Sequence, residues 1–200
     1  MALAIDDDFG SVEESQGVFV TRELLEIAVD PGAPERGQFG FVQSTLRDVA
    51  YETLSRRDRR ERHLAAARYY EKAGDEEIAA VLARHYLAAL ESSEPGPEAD
   101  ALRVQARVSL RAAADRAMDL GSPDQALSHL DTALAITTAP GERAPLLGRA
   151  ATAATATAAT ALAIDYARAA VAAYDEAGDR RSCLGAAGTA VATGLTCFVP

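Results

Sequence analysis

Five apolar positions in QALSHLDTAL (Ala126, Leu127, Leu130, Ala133 and Leu134) recur in order 37 residues later as Ala163, Ile164, Ala167, Ala170 and Val171 in LAIDYARAAV. Steps of three and four residues inside each run are helical, because they put the side chains on one face. A fixed period of a few tens of residues makes one helical unit repeat, and such a unit buries its apolar face only by stacking on its neighbours. Alanines seven apart on the second helix of a pair let adjacent helices approach closely, and Ala114 sits where a small first-helix residue is needed. The spacing predicts two helix pairs, 98–120 with 123–138 and 143–160 with 162–177. A helix over 180–194 would open a third pair, and since the chain ends at LTCFVP the array reads as cut, with a self-associating C-terminal face.

Helix punctuation supports this order. Gly74-Asp75 and Gly178-Asp179 each supply a glycine that ends one helix and an aspartate that caps the next. Gly121-Ser122-Pro123 adds proline at a first helical position, with Gln125 placed to complete a capping box. Ile78, Val81, Leu82, His85, Tyr86, Ala89 and Leu90 form one wide apolar face, and Ser92–Pro97 is a breaker. The N-terminal third differs. Leu24–Val29 and the Phe39-Gly40-Phe41 run flank a loop rich in proline and glycine, which predicts a β-hairpin. After Phe41 the period becomes helical through Val42, Leu46, Val49 and Leu54, and a second helix capped by Ser55 continues with Leu64, Ala67 and Tyr70.

A hairpin ending in F-x-F, then RDVAYETL, then RRDRRERHLAAARYYE, resembles the segment that follows the P-loop ATPase module in bacterial ATPase-coupled class III adenylate/guanylate cyclases. A looser similarity extends to LuxR-type regulators with the same ATPase core. The likeness runs from about Val20 to Leu90 and rests on Phe41, Arg47-Asp48, Ala50-Tyr51-Glu52, Leu54 and His63 in order; Gln43 departs from it, where many relatives carry histidine. It implies the end of a winged-helix subdomain followed by a tetratricopeptide-like (TPR-like) helical array. The expected fold is therefore all-α, an α-α superhelix of TPR-like helical hairpins with a small N-terminal β-hairpin as a winged-helix remnant. Residues 1–55 would be the partial winged-helix segment and 56–200 the repeat array.

The balance of 20 basic and 30 acidic residues gives a net charge of −10, which repels nucleic-acid phosphate and anionic membrane over most of the surface. Met1–Gln16 is acidic and shows no stable period, and its start lacks the basic and apolar regions of a signal peptide. The longest uncharged run, Ala150–Ile164, is too short and too rich in alanine and threonine to span a bilayer, so a cytoplasmic location is expected. Cys183 and Cys197 have no metal or redox spacing, which favours incidental thiols of a reducing compartment.

Candidate chemistry is sparse. No G-x-x-x-x-G-K-[ST] occurs and Lys72 is the one lysine, so a P-loop is absent from this sequence, as are the cyclase metal-binding aspartates. His63, His85 and His129 lie on helices beside apolar neighbours, which favours packing or hydrogen bonding over catalysis or metal binding. Ser55, Ser109 and Ser128 lack a nucleophile-elbow context. No catalytic, cofactor or metal residue is assigned, and a non-enzymatic role is expected. The one concentrated charge is Arg56, Arg57, Arg59, Arg60 and Arg62, a candidate interaction patch for nucleic acid, nucleotide phosphate or an acidic partner, although Asp58 and Glu61 interleave it as on a solvated helix face. The expected partner is a protein or peptide, or an upstream ATPase module, and a winged-helix DNA binder using the arginine patch is the alternative.

Overall fold

The computed structural model describes residues 25–27, 39–73, 78–179 and 182. Strands β1 (Leu25–Ile27) and β2 (Phe39–Phe41) pair antiparallel with Leu25 opposite Phe41. Seven α-helices follow among the described residues: α1 (Ser44–Thr53), α2 (Arg56–Ala73), α3 (Ala79–Glu91), α4 (Pro97–Asp119), α5 (Pro123–Ala135), α6 (Pro140–Ala156) and α7 (Thr160–Glu176). The chain is thus all-α with a small N-terminal β-hairpin, as the change of period predicts. The hairpin loop, the Gly74-Asp75 joint, the helix expected over 180–194 apart from Ser182, both cysteines and the acidic N-terminal stretch lie outside the described residues.

From α2 onward each helix packs on its neighbour in sequence. Longer-range links join elements one helix pair apart. Arg60 Nη1 donates to Glu98 at 2.7 Å, a separation of 38 residues, tying α2 to α4. Arg107 Nη2 donates to Glu142 at 2.7 Å across 35 residues, and Arg149 pairs with Asp115 across 34, tying α4 to α6. Tyr166 on α7 donates to Asp131 on α5, again 35 residues away. First helices α2, α4 and α6 therefore line one side, and second helices α5 and α7 adjoin on the other.

The interior is made mostly of alanine. Ala126 and Ala163, Leu130 and Ala167, and Ala133 and Ala170 are all buried, so the 37-residue correspondence holds in space. It extends into the first helices, where Leu110, Ala113 and Ala117 match Leu147, Ala150 and Ala154, all buried. A larger cluster under α4–α7 and a smaller one around Ala67, Tyr86, Ala89, Leu102 and Ala106 are bridged by half-buried Leu87 and Ile136.

The joints obey one geometry. Gly121 adopts φ +71°, while Ser122 N–H donates to the Ala117 carbonyl (2.8 Å) and Gly121 N–H to Met118 (3.0 Å), the two bonds of a Schellman cap. Gly178, at φ +73°, repeats it. Ala158, 37 residues after Gly121, takes φ +57° with the same pair of bonds, a left-handed conformation that costs a residue bearing Cβ about 1–2 kcal/mol. The joint is thus imposed by packing where glycine does not supply it. Asp179 caps forward as expected, accepting from Ser182 N–H at 3.1 Å. Ser122 does not form the expected capping box. It stands at the N-cap before Pro123, but with ψ of 65° rather than an extended value its side chain makes no cap hydrogen bond. Helix α6 begins at Pro140, three residues before the expected start, because proline suits a first helical position.

Candidate functional site: the junction of α1, α2 and α3

Helix α2 is capped by Ser55, whose Oγ accepts from Asp58 N–H (3.1 Å) and donates to the Asp58 carboxylate (2.7 Å). This cap fixes the phase of the five arginines that follow, and they diverge. Arg56 Nη1 lies 3.4 Å from Glu94 and Arg60 Nη1 2.7 Å from Glu98, both toward α4. Arg57 pairs with Glu61 one turn away at 2.8 Å. Arg59 turns the other way, donating from Nε to the Tyr51 carbonyl (3.1 Å) and from Nη2 to the Glu52 carbonyl (2.8 Å), with its guanidinium 4.8 Å from the Tyr51 ring centre. Arg62 is exposed and has no ion pair among the described residues. The patch is therefore not one cationic face.

Arg59 satisfies carbonyls that the end of α1 leaves open, as a cation at a helix C-terminus should. Arg143, likewise fourth in its helix, donates to the Leu134 (2.8 Å) and Thr137 (2.7 Å) carbonyls after α5. Exposed pairs such as Arg56–Glu94 each contribute at most about 1 kcal/mol, so these arginines orient helices more than they stabilise them. The solvated-face reading is the one their partners support.

The structure brings together three side chains that were treated separately in the sequence. Tyr51 Oη lies 3.0 Å from His63 Nε2, and His63 Nδ1 lies 3.0 Å from His85 Nδ1. Tyr70 stacks on the His85 ring at 5.8 Å and 18°. Both imidazoles are buried, and His85 Nε2 has no hydrogen-bond partner. Two facing Nδ1 atoms share one proton, so one ring is the Nδ1–H tautomer and the other accepts. When His63 donates, its Nε2 accepts from the Tyr51 hydroxyl, and the chain runs Tyr51 to His63 to His85.

Burial holds the pKa of both rings below the ordinary histidine value, with Arg84 adding to the effect. His85 falls to about 4, His63 contributing after burial. His129 on α5 is also lowered by burial and stays apart from the pair. Each histidine thus packs or hydrogen-bonds, as expected. Their meeting was legible in principle, since His63 lies eleven residues before Gly74 and His85 eleven after it, and an antiparallel helical hairpin about that joint sets them side by side.

Ser55 is occupied as a cap, Ser109 is buried in α4 and Ser128 is exposed on α5. No group of three or more potential metal-ligating side chains occurs among the described residues, and no helix among them is long and apolar enough to cross a membrane. Comparison with known proteins finds no matching family, curated sequence or solved structure.

Proposed function

We propose that the chain is a non-catalytic protein-interaction and regulatory segment, of the kind that follows the P-loop module in cyclase-linked signalling ATPases, and that it relays the binding of a partner or ligand. The supporting observation is the stack of helix pairs, in which α6–α7 repeats the buried positions of α4–α5 at an offset of 37 residues. Such an array presents a long rigid side whose exposed residues are free to bind, and that is how stacked helix pairs engage peptides. On α4 that side carries Val104 and Val108, one turn apart and 44% and 46% exposed. On this reading the hairpin and α1 are the end of a winged-helix subdomain, and α2–α7 are the TPR-like array, working in the cytoplasm. Val42 and Val49, 47% and 58% exposed beside and on α1, then form the side that an upstream ATPase module would cover. The self-association expected of the C-terminal face concerns residues outside those described.

Against the DNA-binding alternative stands the commitment of Arg56, Arg57, Arg59 and Arg60 to partners within the chain. Fluorescence anisotropy with a labelled DNA duplex at about 50 mM salt discriminates the two readings. We expect no saturable binding below roughly 100 µM protein, the weak end of non-specific association. Binding that falls steeply with added salt and is lost in Arg57→Glu/Arg62→Glu would instead establish the DNA reading.

A further inference from the structure

Helix α1 has no buried residue, in contrast to the helices of the array. It packs on β2, and its hold on α2 centres on Tyr51: the hydroxyl and ring edge on His63, with Arg59 over the ring and on the Tyr51 and Glu52 carbonyls. We infer that the Tyr51–His63–His85 chain is an acid-released latch, which docks α1 on the helical array while the histidine pair is neutral and frees it when the pair takes up protons.

The proton inventory sets the direction. A neutral pair needs one proton between its Nδ1 atoms. One added proton is accommodated, with Nε2–H of His63 turned on the Tyr51 oxygen. A second puts two N–H groups face to face at 3.0 Å, and the bond must break. Among the described residues, the charged and titratable groups around the pair give a cation no support. From α1 comes the neutral Tyr51. Helix α2 brings Arg59, over the Tyr51 ring, and neutral Tyr70, while its Glu71 is taken by the hydroxyl of Tyr86. Helix α3 adds Arg84, a further positive charge felt by both rings. No residue of α4 makes a hydrogen bond, ion pair or ring contact with either imidazole. An imidazolium here is relieved by water, and the least costly entry is to lift α1 off His63, because α1 has no fully buried residue and the move uncovers chiefly the half-buried Tyr51 ring.

The lowered pKa values agree in sign. The neutral pair contributes its full stability above the unfolded-state histidine value of about 6.5. That contribution is lost as pH falls toward the folded-state value, about 4 for His85.

Hydrogen exchange of the whole chain, corrected for intrinsic rates, tests the latch between pH 7 and pH 4.5. Amides of 44–53 are expected to lose protection by about tenfold or more across that range while α5 and α6 retain theirs. The loss should share one midpoint with uptake of the second proton by the histidine pair, followed by NMR of both rings. Tyr51→Phe, which removes one oxygen, should give α1 its acid exchange rates already at pH 7, with the array unchanged. Unprotected or pH-independent α1 amides in the wild-type chain would overturn the latch, as would simultaneous loss in α1 and α5. So would a Tyr51→Phe chain whose α1 is as protected as wild type, or protonation of both rings without release of α1.

Discussion

Replacing Leu130 by alanine is expected to lower the free energy of unfolding by about 3 kcal/mol, within the 2–5 kcal/mol usual for a buried leucine. Leu130 is 1% exposed and, with His85, is the largest side chain buried so completely. Its neighbours in the cluster are mainly alanines, including Ala126, Ala133 and Ala150, which cannot rotate to fill a void. An alanine side chain also contributes little apolar area of its own, so the array depends on its few leucines. In a chain of this size the loss corresponds to a fall of about 6–12 °C in Tm. Leu127→Ala, at a half-buried position one residue away in sequence, should cost less. A loss below about 1 kcal/mol for Leu130→Ala would mean that α5 and its neighbours close over the gap, and that the packing is looser than described.

The converse substitution has a comparable effect through a different mechanism. Ala150 is fully buried on α6, the helix between α5 and α7, and its contacts are set by the alanines that let these helices approach. Ala150→Leu forces three further carbon atoms into that interface and is expected to cost about 2–3 kcal/mol, the upper part of the range for overpacking. Ala169→Leu, on the exposed side of α7, should stay within about 0.5 kcal/mol of the parent. Because helices here contact chiefly their neighbours in sequence, the damage should be local. Hydrogen exchange should rise over α6 and α7 and remain near the parent rate over α2 and α3. Uniform loss across all helices would show one indivisible cooperative unit instead.

The helices and their pairing were legible because the sequence states them redundantly, in the alanine and leucine spacing and in the Gly121 and Gly178 joints. Ala158 shows what one signal alone would have missed: its left-handed turn is dictated by the helices on either side, not by the residue. Ser122 shows the opposite failure, a correct capping residue whose backbone angle keeps its hydroxyl from the bond. At the candidate site, the charge of Arg56–Arg62 was plain but its use was not. Whether an arginine meets Glu98, a helix end or solvent depends on phase relative to α1 and α4, which no single-helix pattern contains. The valines beside and on α1 give a helical stripe, yet Val42 and Val49 are exposed, because among the described residues nothing covers them. Periodicity reports which side is apolar, and the partner that buries it is a separate fact.

The central functional claim is that this chain works as a regulatory section joined to a signalling ATPase. Its most direct test is the mass of the native gene product, read by immunoblot of cell extract with an antibody against α4–α7. The account predicts a species far heavier than 21.0 kDa, large enough to carry an ATPase module. A single species at 21.0 kDa would contradict it, and would make the chain a separate protein whose partner must be sought elsewhere.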